Sequence, residues 1–198
     1  SALSFLLFFV FLSVNAQRIS LRNPSFEDAP ANSSTPRHWI NCGDRNESPP
    51  DVFPEREYVF GVNKLAYAGN TYLGLVTRDN DTWEAVAANL TAPLEPNVCY
   101  RFSIAMARSA EYRSFSRATG REANFTDPTR LRIWGSNGNC QQEELLAESP
   151  LVLHDDWQLY TFIIKPLKNS YASIILEAYF PDNLLKPTNG NLLLDAAS

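Results

Sequence analysis

The sequence is poor in the residues that most enzyme and metal sites use. Its 198 residues include two histidines and three cysteines. They contain no Cys-x-x-Cys pair, no Gly-x-Ser-x-Gly turn, no His-Glu-x-x-His motif and no phosphate-binding glycine loop. These absences argue against serine hydrolases, zinc enzymes and phosphate-loop enzymes, and they predict that the chain is not an enzyme. Asp and Glu are frequent, so glycoside hydrolysis by a carboxylate pair stays open as a less favoured alternative.

Clustered positive charge and a membrane-spanning run are missing as well. The net charge is −5, and the 17 Lys and Arg residues are scattered along the chain, unlike the basic patch of a nucleic-acid-binding surface. After residue 16 no apolar run is long enough to cross a bilayer as a helix. The sequence therefore predicts no nucleic-acid partner and no membrane span, and it favours neutral molecules or other proteins as partners.

The longest apolar run lies at the N-terminus, in SALSFLLFFVFLSVNA, residues 1–16. The run from Leu3 to Leu12 is too short for a stable transmembrane helix, and small and polar residues follow it, as in a secretory signal peptide. A buried strand or helix is the alternative. Because the initiator Met and a charged start are missing, we expect an incomplete signal peptide at 1–16 and one domain at 17–198. Export would place this domain in the periplasm, on the outer-membrane surface or outside the cell.

Short strands separated by turns dominate the rest of the chain. β-Branched and aromatic residues alternate with polar ones, and helical periodicity is almost absent. In one run Tyr100, Phe102, Ile104 and Met106 share a face. The number and spacing of such runs predict an all-β fold, a β-sandwich of the jelly-roll type. The runs are TYLGLVT, WEAVAANL, VCYRFSIAMA, RLRIWG, WQLYTFIIK, YASIILEAYF and NLLLD.

Three cysteines in an exported chain suggest one disulfide and one free thiol. Cys99 opens one predicted strand, and Cys140 follows the end of the next. If these strands are antiparallel neighbours, the start of the first lies beside the end of the second. We therefore expect a Cys99–Cys140 disulfide and leave the state of Cys42 open. A zinc site is the weaker alternative, because neither histidine lies near a cysteine pair.

Five motifs follow one another along the chain: NPSFE at 23–27, GNTYLGLVTRDNDTWEAVAANL, APLEPNVCYRFSIAMARS, WQLYTFII and the terminal LLLDAAS. Their order and spacing resemble the β-jelly-roll carbohydrate-binding modules of families four, nine and twenty-two, which have a galactose-binding-like fold. The resemblance spans residues 19–198. The segments ESPPDVFP, LRIWGSNGNC and ELLAES also resemble a domain of exported Bacteroidetes proteins. Two departures from the family pattern are Asn97 in place of a glycine and the ending DAAS.

The resemblance implies a structural Ca²⁺ where the two ends of the domain meet. Glu27 closes NPSFE and Asp195 closes the last strand run, so side-by-side first and last strands bring both carboxylates to one sheet edge. Ca²⁺ takes six to eight oxygen ligands, and two carboxylates with backbone carbonyls suit it. In the alternative, Glu27 caps a turn and Asp195 pairs with an arginine. Phe26 is expected in the core in both cases.

The resemblance also implies a sugar-binding cleft at Trp83, where the family carries a cleft tryptophan. Sugar recognition needs a flat aromatic ring for the pyranose and polar side chains for its hydroxyls. The connection at 108–129 is longer than an ordinary loop and could wall this cleft. Trp83 could also be a core residue, and Trp134 and Trp157 are expected in the core. The expected ligand-binding residues are Trp83, Arg78, Asn80, Tyr112, Arg113 and Phe115.

These observations predict a non-catalytic carbohydrate-binding module of an exported bacterial protein, with a carbohydrate or cell-surface glycan as its partner. The alternative is a structural or adhesion domain that binds another cell-envelope protein. A jelly-roll hydrolase would need two carboxylates facing each other across a groove. The feature that separates the first two hypotheses is whether Trp83 and the loop aromatics are exposed together or buried.

Overall fold

The computed structural model describes residues 18–54 and 59–198. This part of the chain forms strands and turns, and none of it is a helix long and apolar enough to cross a membrane. The predicted signal peptide at 1–16 lies outside the described residues. The strands are β1 (Ile40–Asn41), β2 (Asp51–Phe53), β3 (Tyr72–Arg78), β4 (Thr82–Trp83), β5 (Ala85–Leu94), β6 (Tyr100–Ala107), β7 (Arg113–Phe115), β8 (Glu122–Asn124), β9 (Arg130–Ser136), β10 (Glu144–Glu148), β11 (Gln158–Ile164), β12 (Tyr171–Tyr179) and β13 (Gly190–Asp195).

The strands form two large antiparallel sheets and one hairpin. The five-stranded sheet has the order β1-β5-β12-β9-β10. The six-stranded sheet has the order β11-β6-β13-β3-β2, with β4 paired to β3. The hairpin consists of β7 and β8 and lies within the long connection 108–129. This arrangement confirms the predicted all-β sandwich, and each of the seven runs named from the sequence overlaps a strand.

Side chains point alternately inward and outward along the strands, and the inward ones form the core between the two sheets. Ile104 and Met106 of β6 belong to the same buried cluster as Leu176 and Ala178 of β12, so each sheet contributes every second residue to it. The residues between them point outward. This division into an inner and an outer face determines which side chains are available for binding.

The two ends of the domain meet, although not as neighbouring edge strands. β13 lies inside the six-stranded sheet, between β6 and β3. The Ala197 N–H donates to the Pro24 carbonyl at 2.8 Å, which joins the segment after β13 to the start of the domain. The N-terminal segment contributes a turn here rather than a strand.

Asn23 explains why the domain begins with NPSFE. Its side-chain oxygen accepts the Glu27 N–H at 2.8 Å, and its amide donates to the Glu27 carbonyl at 3.1 Å, which closes residues 23–27 into a loop. The loop inserts Phe26 into the core, fully buried, with its ring centroid 4.8 Å from that of Trp39. Asn23 also accepts the Trp39 indole N–H at its carbonyl, at 2.9 Å.

The predicted Cys99–Cys140 disulfide is wrong. Cys140 pairs with Cys42, and Cys99 is an exposed free thiol. The prediction assumed that β6 and β9 are neighbours, but β6 lies in the six-stranded sheet and β9 in the five-stranded sheet. The observed disulfide ties the end of β1 to the loop after β9, across 98 positions of sequence.

Removal of this disulfide should destabilise the domain, since it closes a long loop in the unfolded chain. A Cys42→Ser, Cys140→Ser double variant is expected to lose about 4 kcal/mol of unfolding free energy in denaturant titrations. Cys99→Ser is the matched control and should unfold like the parent. Equal stability of parent and double variant would contradict the assignment, as would a Cys99-containing disulfide in a non-reducing peptide map.

Candidate functional site

The outer face of the five-stranded sheet combines small, aromatic and charged side chains. In β5 the outward residues are Ala85 and Ala87, and in β12 Ile175 lies beside them in a small buried cluster. Trp134 of β9 packs against this cluster, as does Cys42 of the disulfide. The alanines leave room above the sheet, so larger side chains from neighbouring elements lie over them.

Glu177 is the centre of this face. It follows Ile175 by two residues in β12, points outward, and is only 1 % exposed. Its carboxylate accepts the indole N–H of Trp83 at 2.6 Å and that of Trp134 at 2.8 Å. Gln142 donates its side-chain amide to the same carboxylate at 2.5 Å. Hydrogen bonds to a charged group are strong, so Glu177 fixes the orientation of both indole rings.

Trp83 reaches this face because the chain changes sheets immediately after it. β4 pairs with β3 of the six-stranded sheet, and β5 begins two residues later in the five-stranded sheet. Glu84 lies where the chain passes from one sheet to the other. Its N–H donates to the Val76 carbonyl at 2.9 Å, and its own carbonyl accepts the Ala178 N–H at 3.1 Å. Trp83 therefore faces outward while Glu84 faces the interior.

Gln142 is held over the face by the disulfide loop. Cys140 is bonded to Cys42, and Gln142 follows it by two residues. The loop is closed at its other end by Glu143, whose carboxylate accepts the Asn137 N–H at 2.8 Å. The disulfide thus positions a polar side chain beside the two indoles.

A groove of about 450 Å³ continues the face beyond Trp83. The Trp83 ring meets the Tyr179 ring edge-on at 5.0 Å, and the Arg132 guanidinium lies 3.4 Å from the Tyr179 ring centroid. Arg132 also pairs with Glu148 at 2.6 Å. Burial alone would raise the pKa of Glu148, but hydrogen bonds from Arg132 and Arg130 lower it below its ordinary value. The groove is lined by Asp81, Arg132, Tyr179, Phe180 and the loop from Pro181 to Pro187.

The sequence motif indicated Trp83 but none of its partners. Trp134 was expected in the core, and neither Glu177 nor Gln142 was considered. The alternation in YASIILEAYF contained a usable signal, because it places Glu177 opposite the core residues Leu176 and Ala178. A carboxylate in the middle of so apolar a strand requires partners wherever it is buried.

Two other predicted site residues lie beside Trp83 in sequence but outside this face. Arg78 is 3 % exposed, and its guanidinium contacts the Glu84 carboxyl inside the domain. Asn80 is exposed and donates its side-chain amide to Glu47 at 2.8 Å. The structure therefore does not place Arg78 or Asn80 with the indole of Trp83.

The remaining three predicted site residues belong to the other side of the sandwich. Tyr112 is buried against the outer face of the six-stranded sheet, in a cluster with Val76 and Leu193. Arg113 and Phe115 are on β7 of the hairpin, where both side chains are exposed. The long connection thus covers the six-stranded sheet rather than walling a cleft at Trp83.

A buried polar network lies between these regions. Arg78 faces Glu84 and also Glu47, at 3.6 Å, and the Tyr112 hydroxyl donates to Asp51. Burial raises the pKa of Glu84 to about 8 and that of Asp51 to about 6. Burial is the larger effect and the charge of Arg78 offsets it only in part, so the carboxyls hold their protons to a higher pH than exposed ones do.

Glu27 and Asp195 both hold the segment before β3. Glu27 accepts the Asn70 N–H at 2.7 Å, and Asp195 accepts the Ala68 N–H at 2.9 Å. Burial raises the pKa of Asp195 to about 6, and the charge of Glu27 adds to this shift. Within residues 18–54 and 59–198 neither carboxylate forms an ion pair, and no three His, Cys, Asp or Glu residues are grouped as metal ligands.

No protein-family model and no curated protein matches this sequence. Solved structures share its fold. A cyclase from Fischerella sp. TAU in complex with 4-(1H-indol-3-yl)butan-2-one has a TM-score of 0.58 at 17 % identity, covering 92 % of this chain and 96 % of the cyclase. The CBM22-1 xylan-binding domain of Paenibacillus barcinonensis Xyn10C has a TM-score of 0.52 at 15 % identity, covering 92 % of this chain and 94 % of that domain. The K2 cleaved adhesin domain of Lys-gingipain has a TM-score of 0.55 at 9 % identity, covering 91 % and 98 %.

These similarities show the fold class. The chain has the galactose-binding-like β-sandwich fold of carbohydrate-binding modules, as the sequence motifs predicted. They also correct the prediction that the chain is not an enzyme, because cyclases from Fischerella share the fold over nine-tenths of the chain. That prediction relied on missing histidine, cysteine and phosphate-loop motifs, and a β-sandwich of this kind supports enzymes all the same.

The raised pKa of Glu84 predicts a stability that falls as pH rises. The unfolded carboxyl ionises near its ordinary 4.5, whereas the folded one holds its proton to about 8, so folding takes up a proton between these values. Stability should therefore decrease from about pH 5 to about pH 8, by up to roughly 1.4 kcal/mol per pH unit for this group. Asp51 and Asp195 also make the stability fall as pH rises, but only up to about pH 6.

Glu84→Gln isolates this effect, since Gln carries no titrating proton. Its stability should be nearly flat between about pH 6.5 and pH 8, the range in which the parent still declines. Urea titrations at a series of pH values measure both slopes. A parent without this decline, or a variant that declines as steeply, would show that Glu84 is ionised in the folded protein.

Proposed function

We propose that this protein is an exported carbohydrate-binding domain whose binding surface is the outer face of the five-stranded sheet. The single observation that carries the proposal is the Glu177 carboxylate, which holds the indoles of Trp83 and Trp134 on one face. Indoles that one carboxylate orients on the same face offer the flat aromatic surfaces on which pyranose rings stack.

The polar side chains of the face suit a sugar as well. Gln142 is exposed and lies beside the indoles, and Arg132 lies on the Tyr179 ring at the groove. The glutamine amide can donate to and accept from sugar hydroxyls, and the guanidinium can donate to them. Glu177 itself is buried, so its role is to position the indoles rather than to touch the ligand. Trp83, Trp134, Tyr179, Gln142 and Arg132 are the proposed ligand contacts.

The comparisons support this proposal at the level of the fold. A xylan-binding domain shares it, and xylan is a polysaccharide. The Cys42–Cys140 disulfide supports export, because disulfides persist in oxidising compartments. The proposed locations are the periplasm, the outer-membrane surface or the extracellular medium, with carbohydrate or a cell-surface glycan as partner.

A glycan-array screen tests this function, with variants on the two sides of the sandwich. Trp83→Ala should weaken binding by about tenfold, as expected for the loss of one stacked ring. Phe115→Ala is the matched control, since it removes an exposed aromatic ring from the opposite side. Isothermal titration calorimetry with the best array ligand measures the affinity of each variant relative to the parent.

A folded protein that binds no glycan would overturn the proposal and favour the alternative, a structural or adhesion domain that binds an envelope protein. Loss of binding in Phe115→Ala with unchanged binding in Trp83→Ala would place the site on the hairpin side instead.

Glu177→Gln tests the positioning role. A carboxylate accepts all three N–H groups, whereas a glutamine side chain has one acceptor oxygen and brings two donors of its own. One indole should therefore lose its partner, with a loss of about 1–3 kcal/mol in stability and weaker glycan binding. Tryptophan fluorescence should shift because an indole is released. Unchanged fluorescence and affinity would mean that the carboxylate does not organise the face.

Ca²⁺ is proposed at Glu27 and Asp195. The fit rests on two carboxylates held near each other without a cationic partner in the described part of the chain, one of them fully buried. Their oxygens accept backbone N–H groups but have further lone pairs for a cation. Bound Ca²⁺ would neutralise this pair and tie the loop before β3 to both ends of the domain.

Thermal unfolding with Ca²⁺ and with EDTA tests the metal proposal. Ca²⁺ should raise the midpoint of the parent near pH 7, because a ligand that binds only the folded state stabilises it. Asp195→Asn should lose this response, and Asp182→Asn, an exposed carboxylate elsewhere, should keep it. A midpoint that does not respond to Ca²⁺ would exclude a structural calcium at these residues.

A further inference from the structure

β11 is the longest edge strand among the described residues of the two sheets. Its seven residues pair with β6 in an unbroken register, from Gln158 opposite Met106 to Ile164 opposite Tyr100. No strand in the described part of the chain is hydrogen-bonded to the other edge of β11. An open edge of this length presents a row of backbone N–H and C=O groups to which another strand can pair.

β11 also lacks the features by which proteins protect such edges. Residues 158–164 contain no proline, no glycine and no charged side chain. The edge strand β10 differs, because Glu144 and Glu148 flank it and a bulge interrupts its register. At the other end of the six-stranded sheet, β2 is short and Val52 is covered by a pairing with Ala31.

The outer face of β11 is apolar and exposed. Leu159 and Ile163 are 57 % and 68 % exposed, and each lies two positions from Thr161, on the same face of the strand. Leu153 and Leu167 extend the exposed apolar surface beyond both ends of the strand. Exposed apolar side chains that follow an open strand edge mark an interaction surface.

We infer that β11 pairs with β11 of a second copy of this protein, antiparallel about a two-fold axis at Thr161. In this register Leu159 lies opposite Ile163 of the second copy, and Ile163 lies opposite the second copy's Leu159. The four side chains form one apolar cluster on one face of the joined sheets. The two six-stranded sheets become a single continuous sheet.

The charges at the two ends of β11 favour pairing with a second copy of β11 over pairing with an unrelated strand. Asp156 precedes β11 and Lys165 follows it, both are exposed, and neither forms an ion pair with any described residue. Two-fold pairing at Thr161 places Asp156 of each copy opposite Pro166 of the other, one position along the strand from Lys165. An acidic start and a basic end make the strand complementary to itself in antiparallel pairing.

Sedimentation equilibrium tests this inference, in a Cys99→Ser background that excludes linkage through the free thiol. The parent should form a concentration-dependent dimer. Ile163→Lys should weaken the dimer by at least tenfold, because it places a charge in the apolar cluster. Leu185→Lys is the matched control, an equally apolar and fully exposed residue on a distant loop, and should dimerise like the parent.

Charge exchange tests the register. Asp156→Lys and Lys165→Asp should each weaken the dimer, and the double variant should restore it, because its charges are again complementary. Circular dichroism of each variant confirms that the fold is retained. A parent that stays monomeric at about 0.1 mM, a dimer insensitive to Ile163→Lys, or a double variant without rescue would overturn the inference. Glycan binding is measured separately, on a face that β11 does not form.

Discussion

Glu84 is the residue on which the sandwich and the candidate site both depend. Its backbone joins Val76 of the six-stranded sheet to Ala178 of the five-stranded sheet. Its side chain, buried between them, accepts the Val76 N–H and pairs with Arg78. A buried carboxyl is tolerated only with such partners. Since consecutive residues point to opposite sides, fixing Glu84 inward also fixes Trp83 outward.

A second buried carboxyl group with several partners organises the outer face of the five-stranded sheet. Glu177 is buried, and its three donors come from elements far apart in sequence: β4, β9 and the disulfide loop. A carboxylate with three hydrogen bonds in a water-poor site restricts each donor strongly. The indoles of Trp83 and Trp134 therefore have a defined orientation before any ligand arrives, and preorganised contacts lose less entropy on binding. The disulfide contributes to the site through Gln142 as well as to stability.

The sequence was sufficient for the fold because alternation and turn residues are local properties. The motif around Trp83 also led to this residue, whose role as a ligand contact stays a prediction. The sequence was insufficient where a conclusion required knowing which strand lies in which sheet. The Cys99–Cys140 pairing failed for this reason, and Tyr112 was assigned to the wrong side of the sandwich. Glu177 was missed because its importance lies in three partners that only the tertiary structure brings together.

The two outer faces of the sandwich differ in how far other residues cover them, and this difference supports the functional proposal. The hairpin side packs Tyr112 and Phe125 onto the six-stranded sheet, so that face is largely converted into a second core. The five-stranded sheet keeps half-buried aromatic and polar side chains on its outer face. A cyclase, a xylan-binding domain and an adhesin domain share this fold, so the fold does not select among their activities. The proposed site is the outer face of the five-stranded sheet, where this chain places two oriented indoles, an arginine on a tyrosine and a glutamine.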